Sequence, residues 1–61
     1  MYKENVVALV KMLEREIEFK REMIYLAHAL GLDNEKAELI RSCRRLSSML
    51  DDLRFELNKF L

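Results

Sequence analysis

The stretch Leu46-Ser47-Ser48-Met49-Leu50-Asp51-Asp52 places two hydroxyls and two carboxylates within seven residues. A serine becomes a nucleophile when a base within hydrogen-bond reach takes its proton, and the base is itself held by a third group. On a helix the groups within reach lie three or four positions away, so Ser47 is a neighbour of Asp51 and Ser48 of Asp52. The only histidine, His28, is far from both serines in sequence, so neither serine has a histidine base on its own helix. On residues alone the stretch reads as the solvated flank of a packing helix. Ser47 lies near the apolar seam, where a small side chain allows close approach, and Asp51 lies at the border of that seam.

The remaining reactive groups are sparse. Cys43 is the single cysteine, which excludes an internal disulfide. Zinc sites of the usual kind take about four Cys or His ligands. Cys43 and His28 together supply two, so no metal and no cofactor is expected. Arg41, Arg44 and Arg45 surround Cys43 in sequence and would activate an exposed thiol. Its place in the apolar seam makes it instead a small hydrophobe. His28, near the turn, reads as a solvated or capping residue. Arg41, Arg44 and Arg45 fall on the outward face of their helix with Phe55 further along the same side. Arginine and aromatic residues are enriched where proteins make their strongest contacts, so this face is a candidate surface for a protein partner.

The elements that position these groups follow from punctuation and period. Proline is absent and glycine occurs once, at Gly31, so the chain has one strong turn. Gly31 can adopt the left-handed conformation that closes a helix. Asp33 is then expected to cap a second helix, with Glu35 and Glu38 complementing its dipole. Leu32 and Ala37 are expected to form the hydrophobic staple at its start. The spacing predicts a helix over about residues 3–30, a turn at 31–33, and a helix over about 34–59.

In the second helix Leu39, Cys43, Leu46, Leu50, Leu53, Leu57 and Phe60 recur by alternating steps of four and three, a heptad seam with one facing partner. The first helix carries more apolar surface than that seam can cover. At about 100° per residue, Val6, Val10, Leu13, Ile17 and Ile24 form one row, and Leu9, Met12, Phe19, Met23, Leu26 and Leu30 form another beside it. An uncovered strip of that length marks an interface, and a two-fold dimer of hairpins would cover it in a four-helix bundle. Leu9, Met12, Glu16, Phe19, Met23, Leu26 and Leu30 are therefore the expected dimer interface. Glu16 and Lys20 lie within the apolar arc in the favourable i, i+4 order. They read either as a polar layer that aligns the dimer or as long side chains reaching out along the seam.

Length and charge bound the function. A 61-residue chain has a marginal core on its own and gains from assembly. Eleven basic residues balance eleven acidic ones, with five of each before Gly31 and six of each after it. No basic face draws the chain to nucleic acid, and no apolar run is long enough for a membrane span. A reduced, cytoplasmic setting is expected.

Ser47, Leu50 and Asp51 also carry a resemblance. The chain looks like the small helical-hairpin aspartyl-phosphate phosphatases that regulate sporulation in bacilli, whose second helix bears Ser-Gln-Glu-Leu-Asp. Here Ser47-Ser48-Met49-Leu50-Asp51 keeps the Ser, Leu and Asp but not the Gln-Glu pair. Ile17 to Leu32 is similar to that family's first-helix pattern of an Ile, an Arg four residues later, an apolar stretch and a turn Gly. Ser47 stands further from Gly31 than the family's Ser from its turn Gly. The resemblance implies docking on a phosphorylated response regulator and hydrolysis of its phospho-aspartate, with Asp51 and Ser47 as catalytic residues. The residues themselves point to an all-α antiparallel helix-turn-helix hairpin, homodimeric, that regulates by binding another protein.

Overall fold

A computed structural model describes residues 2–60. It contains two helices, α1 (Lys3–Ala29) and α2 (Asp33–Asn58), packed against each other as a hairpin. At 1.5 Å per residue each helix is about 40 Å long, and the molecule measures 44 × 14 × 14 Å. Both expected helices and the turn between them are present.

The turn is built from backbone hydrogen bonds that only the Gly31 conformation permits. Gly31 has φ of 70°, the left-handed region that a side chain disfavours. That twist lets the Leu32 N–H reach the Ala27 carbonyl at 2.9 Å and the Gly31 N–H reach the His28 carbonyl at 3.2 Å. The pair of bonds is a Schellman closure, which satisfies carbonyls that a helix end otherwise leaves open. Leu32 then hands its own carbonyl to the Lys36 N–H at 2.9 Å, so the second helix starts without a spacer.

This compact return corrects the expected start of α2. Leu32 occupies the cap position, the helix begins at Asp33, and no side chain makes a cap hydrogen bond. The Asp33 N–H is bonded to the Gly31 carbonyl at 3.1 Å. Asp33 therefore lies inside the first turn, where with Glu35 its charge complements the helix dipole. With Leu32 at the cap itself, the residue before the cap is Gly31, and the expected staple between Leu32 and Ala37 is not formed in that sense. At the other end of the turn α1 stops at Ala29, one residue before the expected limit.

The core is one line of side chains along the hairpin. Val6, Val10 and Ile17 of α1 are buried with Leu50 of α2, and Leu13, Cys43, Leu46, Leu53 and Leu57 pack against them. Ala27 is buried close to the turn. The first row of α1 from Val6 to Ile17 thus faces the heptad seam of α2 from Cys43 to Leu57, as its spacing predicts. Phe60 departs from the pattern: α2 ends at Asn58, and the Phe60 side chain, beyond it, is exposed.

Since nothing lies within 4 Å of a Cβ built on Gly31, Gly31→Ala adds backbone strain and no clash. The expected loss is about 1 kcal/mol, read as a lowered urea midpoint with helicity retained in the absence of denaturant. Gly31→Asn, which tolerates the left-handed region better, is expected to lose less.

Candidate functional site

Ile17 and Arg21 are four residues apart on α1, and Ser47, Leu50 and Asp51 follow the same interval rule on α2. The antiparallel packing brings these five side chains to one open groove of about 340 Å³, whose wall is completed by Glu14, Glu18 and Arg54. Leu50 and Ile17 are buried and form its apolar floor. Ser47 is half-buried at the edge of that floor, and Asp51 is exposed one turn further along. Across the groove the Arg54 guanidinium donates to a Glu14 carboxylate oxygen at 3.2 Å, an ion pair that joins the two helices. Arg21 is in no ion pair among the described residues.

The chemistry available here is that of positioned charge. Arg21 can donate to an oxyanion, and the Asp51 carboxylate can accept a proton or orient a water. The groove lining contains no histidine, so Ser47 has no imidazole base. No family model, curated protein or solved structure matches this chain.

The second apolar row of α1 is the other prominent surface. Met12, Phe19, Leu26 and Leu30 are 63, 55, 56 and 71% exposed, Met23 is also exposed, and Leu9 is half-buried. With Val10 and Ile17 facing α2, a step of about 100° per residue puts this row and the groove on opposite edges of α1. Met49 of α2, also exposed, lies on the flank of its seam away from Ser47 and Arg54, and so extends the apolar surface on the row's side.

Between the row and the core, Lys20 and Glu16 form an ion pair at 3.5 Å, with side-chain exposures of 21 and 51%. The pair is neither sealed in the hairpin core nor free of it. Cys43 is half-buried and packed against the core. His28 is exposed at the end of α1, where its Nδ1 accepts a 2.9 Å hydrogen bond from the Lys36 ammonium. This contact ties the start of α2 back to the last turn of α1.

Arg41, Arg44, Arg45 and Phe55 are all exposed. Arg41 is paired with Glu38 one turn earlier, and the Lys59 ammonium lies 5.3 Å from the centre of the Phe55 ring. Both contacts are local to α2 and the residue that caps its end, and the three arginines do not converge with Phe55 on one pocket. Among the described residues no group of three or more His, Cys, Asp or Glu is placed to hold a metal ion. No helix among the described residues is long and apolar enough to cross a membrane.

Glu14, Glu18 and Arg54 were not legible as groove residues from either helix alone, because their convergence depends on how α1 and α2 are rotated against each other. The available signal was the step of four from Glu14 to Glu18 beside Ile17 and Arg21. The Glu14–Arg54 pair is exposed, so its coupling energy is expected to be below about 1 kcal/mol. A double-mutant cycle of Glu14→Ala and Arg54→Ala in urea denaturation measures it, and raising the salt to 1 M should remove most of the coupling.

Proposed function

We propose that this chain is a small cytoplasmic regulatory module that assembles as a homodimer of hairpins, a four-helix bundle, and acts by binding another protein. The observation that carries this reading is the bare apolar row Met12, Phe19, Met23, Leu26 and Leu30 on a helix whose other row is already packed. Surface area points the same way. The hairpin exposes 5010 Å², whereas a compact monomer of 7.3 kDa would expose roughly 4,200 Å². In such a dimer the Arg41, Arg44, Arg45 and Phe55 face stays free, and it is the surface offered to the protein partner.

Sedimentation over a wide concentration range tests the assembly. The unmodified chain is expected to run as a dimer. Met23→Glu or Leu26→Glu sets a charge in the buried seam and is expected to weaken association by about 3 kcal/mol, releasing monomers. Unchanged mass and helicity in both variants would remove the proposal.

A second reading is supported by the groove. Ile17, Arg21, Ser47, Leu50 and Asp51, the positions that carry the resemblance to the sporulation phosphatases, line it together. In this reading the chain docks on a phosphorylated response regulator and promotes attack of water on the acyl phosphate. Asp51 orients the water, Ser47 donates a hydrogen bond, and Arg21 neutralises the phosphoryl oxygens. The products are inorganic phosphate and the free aspartate. The check is the lifetime of a phosphorylated receiver domain with and without the chain. Asp51→Asn is expected to abolish any acceleration, and acceleration that survives both Asp51→Asn and Asp51→Ala would exclude this site.

A further inference from the structure

We infer that the docking surface on α1 takes a second copy of this chain in the antiparallel direction, α1 against α1, with Arg15 of each copy paired to Glu22 of the other. The inference rests on the homodimer proposed above and adds its orientation.

Leu9, Met12, Glu16, Phe19, Met23, Leu26 and Leu30 recur by steps of three and four without a break, which defines a second heptad seam on α1. The seam is self-complementary when reversed. Leu9 then meets Leu26 of the second copy, Met12 meets Met23, and Glu16 meets Phe19 close to the two-fold axis. One edge of the seam already belongs to the hairpin, since Val6, Leu13 and Ala27 lie along it and are buried or packed against the core. The free edge carries Ala8, Arg15, Glu22 and Ala29, one residue per heptad, all four exposed.

Charge along the free edge decides the direction. In an antiparallel pair this edge faces itself, so Arg15 lies opposite Glu22 of the second copy and Glu22 opposite its Arg15. The two alanines close the ends. In a parallel pair Arg15 would face Lys20 of the second copy, and the two Glu16 side chains would share one layer. Like charges across an interface disfavour an arrangement, and opposite ones favour it. Neither Arg15 nor Glu22 is in an ion pair within the hairpin among the described residues, so both are available. Glu16 keeps Lys20 beside it, which leaves its carboxylate compensated where it borders the Phe19 ring of the second copy.

The test is charge reversal read by sedimentation equilibrium, with circular dichroism to follow helicity. Arg15→Glu and Glu22→Arg are each expected to raise the dimer dissociation constant about tenfold or more, and the double variant Arg15→Glu/Glu22→Arg to restore it. Dimers indifferent to the single reversals, or not restored by the double one, overturn the orientation and leave the dimer standing. A monomer at every concentration for the unmodified chain overturns both. An independent readout is the spin–spin distance between labels on Glu4→Cys in a Cys43→Ser background. The antiparallel pair sets the labels about 40 Å apart by helix rise, and a separation below about 20 Å would overturn it.

Discussion

The structure depends on a mismatch of width. The seam of α2 is one residue wide and covers one row of α1, while α1 carries two. Packing resolves the mismatch in favour of Val6, Val10, Leu13 and Ile17, because this row lies opposite Leu50 and its neighbours. The first row is then held by contact from Val6 to Ile17, and most of the second row, Met12, Phe19, Met23, Leu26 and Leu30, is left in water. The hairpin therefore holds a thin core. Among the described residues five side chains are buried, Val6, Val10, Ile17, Ala27 and Leu50, where a chain of this size already has a marginal margin of stability.

The turn at Gly31 is the second constraint and acts on register. A Schellman closure that passes directly into the next helix leaves no freedom for α2 to slide along α1. Ala27 and Leu32 are tied through one hydrogen bond, His28 and Gly31 through another, and His28 is tied to Lys36 through side chains. The relative height of Ile17 and Leu50, and with it the placing of Arg21 beside Ser47 and Asp51, follows from this fixed return. A groove formed far from the turn is in this way set by backbone geometry at the turn.

Much of this was legible in the residues. One glycine and no proline defined the hairpin, and the unbroken run from Leu39 to Leu57 identified the packed face of α2. The division of α1 into a covered and a bare row followed from its width. Three features were not legible. Asp33 has the chemistry of a cap, yet the Schellman bonds had already placed Leu32 there, an outcome set by backbone hydrogen bonds and not by side-chain preference. Phe60 continued the heptad period on paper, but the helix stops at Asn58, and a period has no force beyond the helix that expresses it. The groove required the mutual rotation of two helices, which neither helix encodes by itself. Ser47 and Asp51 were visible as a motif, and their neighbours across the groove were not.

The opposite placement of groove and bare row has a consequence for valence. Whatever covers the row does so from the far edge of α1, so occupancy of one surface does not block the other. The groove residues of α1 run from Glu14 to Arg21, near the middle of the helix. A two-fold pairing centred there would carry two identical grooves at the same height, facing away from each other. Such a dimer would take two copies of a groove ligand, one on each side, and a single short ligand would gain no avidity from the second groove because it could not span both.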